Sequence, residues 1–289
     1  MGNEMKGRGE LPLLFGVMGD PITQTKSPAM HTAALQAAGL EGTYVPLHVK
    51  KEQLADAIKG IAALGYRGVN VTVPHKVDVM NYVDVIDEAA KQIGAVNTIV
   101  NDGGILTGYN TDGIGYIRSL KEEAAPDLSG KHVLVIGCGG AARGIVYALL
   151  QEKPGKVIIA NRTRQKAQEL ADEWVHLGAV SACGMEELAD TIQKNHIDIV
   201  INTTSVGMYP NAGELPMPTE LLMPHMVVSD LIYNPLKTEL LSRAESIGCR
   251  IHNGLGMFVY QGAYAFEYWT GRPAPIEAMR TVVLNSLQV

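Results

Sequence analysis

The stretch HVLVIGCGGAARG at residues 132–144 runs a short apolar segment straight into a glycine-rich turn. An apolar run of this length suits a strand buried on both faces. A helical pattern follows at once, carried by Ile145, Tyr147, Ala148, Leu149 and Leu150. Gly137, Gly139 and Ala142 therefore fit G-x-G-x-x-A with a strand before and a helix after, the context in which the pattern has a physical meaning. The first glycine permits the tight turn, the second lets a pyrophosphate approach the backbone, and the small third residue lets helix and strand pack closely. Free N–H groups around Gly140 and Ala141, at the positive end of the helix dipole, then face the phosphates. Over these six residues alone, an ordinary glycine-rich turn would read the same way.

The next strand separates the two readings. Lys156-Val157-Ile158-Ile159-Ala160 leads into Asn161-Arg162-Thr163-Arg164-Gln165-Lys166. An NAD site places an Asp or Glu about 20 residues beyond the glycines, to hold the ribose 2′-hydroxyl. Here that place holds Asn161 and Arg162, with Arg164 and Lys166 close behind. A carboxylate would repel a 2′-phosphate, whereas a guanidinium clamps one bidentately. Cations at the start of a helix oppose its dipole, so an anionic ligand explains them better than solvation does. The pattern is that of an NADP site.

At 289 residues the chain has room for two ordinary domains. Hydrophobic content of 46% and charged content of 19% are those of a globular protein. A net charge of −6 with no long basic run argues against nucleic acid as a partner. No apolar run approaches the roughly 18 residues of a membrane span, so no membrane partner is expected. Residues 1–10 lack the apolar segment of a secretory signal and read as a flexible lead-in. Cys138, Cys183 and Cys249 are scattered, and the histidines show no ligand spacing. This leaves neither a disulfide framework nor a metal site and points to a cytoplasmic protein.

In chain order, residues 13–18 read as a strand, followed by a loop bearing Thr23, Thr25, Lys26 and Ser27. Ser27 and Pro28 look like N-cap and first turn of a helix that stops at Gly39. Hydroxyls and a lysine at a helix start suit a carboxylate, although Ser27 could equally be a plain cap. Strands at 43–49 and 68–73 flank a helix at 52–64, an alternation that implies a mostly parallel sheet. On the second of these strands Asn70 and Thr72 share one face and need partners or a cleft. Lys76 lies just past the strand's carboxyl end, where open α/β sheets bind ligands, and looks to open a helix. Residues 96–100 and 105–109 read as a hairpin turning at Asp102-Gly103, which would set Asn97 opposite Gly108. Asn110, Thr111 and Asp112 then emerge at the end where Asn97 lies. Asp112 could alternatively be the N-cap of a helix at 113–123.

After the dinucleotide motif, helices are expected at 164–174 and 184–194, and strands at 198–201, 226–231 and 250–252. A polar loop containing Thr203 follows the strand at 198–201. Gly254 and Gly256 mark a crossing point, and two helices at 257–269 and 275–287 close the chain. In the first of these, Met257, Gln261, Tyr264 and Tyr268 fall on one face at helical spacing. A glutamine in that stripe is better explained by a ligand than by packing.

Read together, these residues resemble the shikimate dehydrogenase family over nearly the whole chain. Its fingerprints occur in order: Gly19…Ser27-Pro28…His31, Asn70-Val71-Thr72…Pro74…Lys76, Ala95-Val96-Asn97-Thr98, Asn110-Thr111-Asp112-Gly113, the glycine turn, Asn161-Arg162-Thr163, and Gln261 before Trp269-Thr270-Gly271. The resemblance implies an α/β protein of two domains. Residues 11–110 plus 253–289 would form a substrate domain with a mostly parallel sheet, and residues 111–252 a Rossmann-type NADP domain. It implies reversible NADP-dependent reduction of 3-dehydroshikimate to shikimate, in the pathway to chorismate and the aromatic amino acids. By the same resemblance, Thr25 and Ser27 hold the substrate carboxylate, Thr72, Asn97 and Gln261 bind ring hydroxyls, and Tyr233 lies near the substrate. Lys76 and Asp112 form the catalytic pair. Gly137, Gly139, Gly140, Ala141, Asn161, Arg162, Thr163, Arg164, Thr203, Gly254 and Met257 surround the cofactor. Thr25 stands where the family usually has serine and Thr32 where it often has asparagine, which bears on the choice between shikimate and quinate. A monomer or homodimer is expected.

Overall fold

The apolar runs pair into two six-stranded sheets in the computed structural model, which describes residues 11–23 and 25–287. The lead-in at residues 1–10 lies outside the described residues. The first sheet is built from β1 (Leu13–Gly19), β2 (Gly42–His48), β3 (Gly68–Val71), β4 (Val85–Ile86), β5 (Thr98–Asp102) and β6 (Ile105–Tyr109), in the order β2-β1-β3-β5-β6-β4. β1 runs parallel to both β2 and β3, linked through α1 (Ser27–Ala37) and α2 (Leu54–Ala63). β5 pairs antiparallel with β3 and β6, β6 runs parallel to the short β4, and α3 (Glu88–Ile93) precedes β5.

Three local expectations change here. The hairpin turns at Gly103-Gly104, with Asp102 still in the ladder opposite Ile105. Both turn residues have positive φ, 63° and 98°, which a two-residue primed turn demands and which glycine adopts without strain. The shift moves the partner level of Asn97 from Gly108 to Asn110, two residues on, so Asn97 keeps its face. α1 starts at Ser27 itself, with Lys26 at the cap position and no side chain capping it. No α-helix opens at Lys76 either. The chain makes only a short 3-10 turn at Asp78–Asn81, so no helix dipole acts on that ammonium.

α4 (Asp112–Glu123) leads to the second sheet, with Thr111 at its cap position and Asp112 already inside the helix. The strands are β7 (His132–Ile136), β8 (Lys156–Asn161), β9 (Val180–Gly184), β10 (Ile199–Asn202), β11 (Val227–Asp230) and β12 (Arg250–His252). The helices are α5 (Gly140–Gln151), α6 (Arg164–Trp174), α7 (Leu188–Asn195) and α8 (Glu239–Ile247). All these strands are parallel, in the order β12-β11-β10-β7-β8-β9. Counted from β7, that is the 3-2-1-4-5-6 order of a dinucleotide-binding Rossmann sheet. The helix expected over 184–194 is in fact the end of β9, a 3-10 turn and α7.

Alternate residues of β7 feed opposite cores. Val133 and Val135 pack with Ile145 and Leu149 of α5, while Leu134 and Ile136 pack with Leu188, Ile192 and Leu240. Truncating a side chain such as Leu134 to alanine costs about 2–5 kcal/mol. Two helices return to the first sheet, α9 (Leu255–Thr270) and α10 (Ile276–Leu287). Val259, Phe266 and Trp269 of α9 join Phe15, Val17 and Met30 there. α4 packs against both α9 and α5, and so stands between the two sheets. Among the described residues no helix is long and apolar enough to cross a membrane.

Candidate active site

A cavity of about 630 Å³ opens between the two sheets. Thr25, Ser27, Asn70, Thr72 and Lys76 face it from the first sheet and its loops. Ala141 of the glycine turn, Leu231 and Tyr233 face it from the second. Gly254, Met257, Phe258 and Gln261, at the start of α9, complete the wall, with Asn97 and Asp112 between. Residues far apart in sequence thus share one concave surface, the usual form of a small-molecule site.

The centre of this surface is an ion pair. Lys76 Nζ donates to Asp112 Oδ2 at 2.6 Å, with the lysine side chain 27% and the aspartate side chain 12% exposed. The other carboxylate oxygen, Oδ1, accepts from Asn97 Nδ2 at 2.9 Å. The second Asn97 hydrogen goes to Thr111 Oγ1 at 3.0 Å, and Asn97 Oδ1 accepts from the Thr111 N–H at 2.8 Å. The Val96 N–H, in turn, donates to the Lys76 carbonyl at 2.8 Å. With every Asn97 amide hydrogen committed, the carboxylate cannot rotate without breaking a buried bond. A lysine presented to a cavity by a fixed carboxylate can give up and regain a proton in one direction.

At the start of α1 the Ser27 N–H donates to Thr25 Oγ1 at 3.3 Å, and both residues line the cavity. Gln261 donates through Nε2 to the Phe258 carbonyl at 2.8 Å, which leaves its Oε1 to the cavity. The stripe expected on α9 divides. Met257 and Gln261 face the cavity, Tyr264 lines a separate crevice beside Arg118, and Tyr268 packs on Tyr109 with ring centroids 4.8 Å apart. Asn70 and Phe258 also line the wall. Asn70 shares the strand face of Thr72, and that shared face was the signal for it. Phe258 stacks on Tyr233 at 4.6 Å, and nothing in its local sequence distinguishes it from a core residue.

The remaining cofactor candidates lie along the carboxyl edge of the second sheet, outside the cavity wall. Gly137 has φ +106° and sits against Thr203, whose hydroxyl donates to the Ile136 carbonyl at 2.8 Å. A Cβ built on Gly139 or Gly140 meets nothing within 4 Å, so the turn faces open space beside the helix start. Asn161 Nδ2 donates to the Thr163 carbonyl at 3.0 Å, which shapes the turn after β8. Arg164 lies 3.4 Å from Glu187, while exposed Arg162 has no side-chain partner among the described residues. An open cradle of N–H donors at a helix start beside a free guanidinium fits a phosphorylated dinucleotide.

Three family models fall on the chain in order. One described as the shikimate dehydrogenase substrate binding domain matches residues 17–99. One described as shikimate/quinate 5-dehydrogenase matches residues 119–209, and one described as the shikimate 5′-dehydrogenase C-terminal domain matches 254–284. A shikimate dehydrogenase (NADP(+)) from Geobacillus kaustophilus is 45% identical over 276 residues, covering 95% of this chain and 99% of that protein. Among solved structures, shikimate 5-dehydrogenase from Listeria monocytogenes, in complex with shikimate and NAD, superposes with a TM-score of 0.89 at 36% identity, covering 97% of this chain and 100% of the other. The Thermus thermophilus enzyme in complex with NADP(H) and shikimate gives 0.86 at 35% identity, covering 95% and 100%. Similarity of this extent, spread over both sheets and the closing helices, shows that the chain belongs to the shikimate dehydrogenase family.

Proposed function

We propose that the protein catalyses reversible, NADP-dependent reduction of 3-dehydroshikimate to shikimate. The observation that carries this reading is the Lys76–Asp112 pair, 2.6 Å apart, in the same cavity wall as Ala141 of the dinucleotide turn. NADPH, when bound, supplies the hydride to the carbonyl carbon. Lys76 gives a proton to the carbonyl oxygen as it becomes an alcohol, and takes one back in the reverse direction. Asp112 keeps the ammonium aimed at that oxygen and balances its charge. Thr25 and Ser27 hold the ring carboxylate, Thr72 and Gln261 the ring hydroxyls, and Tyr233 the ring's flank. Asn97 reaches a ring hydroxyl by giving up its Thr111 bond while keeping Asp112 in place. Gly137, Gly139, Gly140 and Ala141 receive the pyrophosphate. Asn161, Arg162, Thr163 and Arg164 receive the 2′-phosphate, and Thr203, Gly254 and Met257 flank the nicotinamide end.

On this reading residues 11–110 plus 253–289 form the substrate domain and residues 111–252 the NADP domain. The working form on this reading is a monomer or homodimer, in solution with its two diffusible substrates in the cytoplasm. The test is formation of NADPH, read by its absorbance, with shikimate or quinate and with NADP+ or NAD+. Fastest turnover with shikimate and NADP+ supports the proposal. Faster turnover of quinate would assign the extra methyl of Thr25 a specificity role. Cofactor binding without turnover of either acid would make the protein a sensor and overturn it.

A further inference from the structure

Behind the cavity wall a buried chain of hydrogen bonds ends on Asp112. Tyr44 Oη donates to Asn70 Oδ1 at 2.7 Å. Asn70 Nδ2 donates to Thr98 Oγ1 at 3.1 Å, and Thr98 Oγ1 donates to Asn97 Oδ1 at 3.0 Å. Asn97 Nδ2 then donates to Asp112 Oδ1 at 2.9 Å, and Lys76 holds Oδ2. With Thr98 giving its one hydrogen to Asn97 rather than to Thr111 Oγ1, 3.3 Å away, the donors of the series all point toward the carboxylate. Such series polarise one another where the dielectric is low. Thr98 is fully buried, and Tyr44, Asn70 and Asn97 are nearly so.

Tyr44 sets the first amide of the series, that of Asn70, while the Thr111 N–H and hydroxyl also hold the Asn97 oxygen. An asparagine amide can flip, exchanging its oxygen and nitrogen, unless its partners discriminate between them. Burial pushes the Tyr44 phenol well up from its ordinary value, partly offset by the Ser27 hydroxyl, so Tyr44 is a donor throughout the working range. A fixed O–H donor requires the oxygen of Asn70 on its side and sends the Asn70 nitrogen toward Thr98. The Tyr44 ring is itself clamped. It stacks on His31 at 4.4 Å with planes 9° apart, and Trp269 lies 6.2 Å away. Neither Tyr44 nor Thr98 lines the cavity.

We propose that Tyr44 is a positioning residue for the proton-transfer pair, acting through Asn70, Thr98 and Asn97 to fix the carboxylate of Asp112. The inference rests on the reaction assigned above. It extends the functional machinery one layer behind the cavity and joins the Ser27 corner, which neighbours Tyr44, to the Lys76 corner.

The test is steady-state kinetics of Tyr44→Phe, which keeps the stacked ring and removes one hydroxyl. The expected result is a fall in kcat of about tenfold, with KM for shikimate changed less than threefold and the NADPH dissociation constant unaltered. The acid limb of the kcat/KM pH profile should also move to higher pH. Thr98→Val breaks the same series at another link and should reproduce both effects, while Thr98→Ser, which keeps a hydroxyl, should lose less. In the double variant Tyr44→Phe/Thr98→Val the losses should not add, because one broken link already disables the series. Wild-type turnover of shikimate, measured alongside, separates failure of this inference from failure of the assigned reaction. A kcat within twofold of wild type in both single variants would overturn it. So would a loss fully accounted for by a reduced fraction of active sites, or additive losses with an unmoved pH profile. Should Tyr44→Phe not fold, the contrast between Thr98→Ser and Thr98→Val decides: equal losses would overturn the proposal.

Discussion

Asp112 divides its two carboxylate oxygens between Lys76, at 2.6 Å, and Asn97, at 2.9 Å. One oxygen meets the cavity lysine and the other is anchored to the scaffold. On the proposed mechanism this division makes Asp112 an orienting group for the lysine rather than a mere counter-ion. Asp112→Asn keeps the shape but loses the charge and presents a donor to one of two donors. Turnover should fall by about 10²-fold, the lower end of general acid–base effects. Shikimate and NADP+ titrations measured on the same preparation should show binding within a few-fold of wild type.

Arg162 is exposed and free of side-chain partners among the described residues, whereas Arg164 is engaged by Glu187. On the proposed function Arg162 is therefore the group assigned to a 2′-phosphate. Arg162→Asp should weaken NADP+ by about 10- to 100-fold, the range of a lost charge-assisted bond. NAD+, which lacks that phosphate, should be little affected. Dissociation constants for the two cofactors by fluorescence titration measure the ratio directly, and an unchanged ratio would remove the assignment.

At the other end of the cavity, Thr25 Oγ1 already accepts from the Ser27 N–H and retains its own hydrogen for a ligand. Thr25→Ala deletes that donor. KM for shikimate should rise by about tenfold, as expected for one hydrogen bond to a charged group. KM for NADP+ should hold, since no part of the dinucleotide turn is touched.

Two buried histidines give a pH dependence of stability with a definite sign. Burial lowers His31 from 6.5 to about 3, and neither of its ring nitrogens has a partner among the described residues. Burial, and secondarily Arg280, lowers His252 to about 4, between Ser119 and Ser229. Each native state favours the neutral ring. Their contribution is thus complete above pH 6.5 and is lost as pH falls toward those lowered values. Asp230, raised by burial from 3.8 to about 6, has the opposite slope between those two values and partly masks the loss. The clean measurement is therefore a difference. Urea unfolding of His31→Phe should lose about 1.4 kcal/mol less than wild type between pH 7.5 and 5.5. Equal losses would show that His31 is not held neutral.

How much of this was legible in the chain varied with how local the cause was. The Rossmann half declared itself because β7 carries an uninterrupted apolar run and the glycines follow it with fixed geometry. β9 escaped because its residues Val180, Ser181 and Ala182 are only half buried at a sheet edge, which weakens any apolar signal. β4, with two residues, carries no periodicity to read. The hairpin was found but its turn was displaced, since Asp-Gly and Gly-Gly both suit a tight turn and only the backbone sign decides. From their own segments Lys76 and Asp112 are separate candidates and only the family resemblance pairs them, because their contact depends on the β3–β5–β6 register, a tertiary fact. The series from Tyr44 was invisible for the same reason: Tyr44 reads as an ordinary aromatic strand residue, and its donor role exists only once β2 lies against the sheet.

The central claim is that the Lys76 ammonium moves the proton of the reaction while taking no part in holding the cofactor. Lys76→Ala, assayed for shikimate oxidation alongside an NADPH titration, tests it most directly. Turnover should fall by about 10²–10⁴-fold with the NADPH dissociation constant unchanged. Turnover near that of the wild type would contradict the account, whatever happened to cofactor affinity.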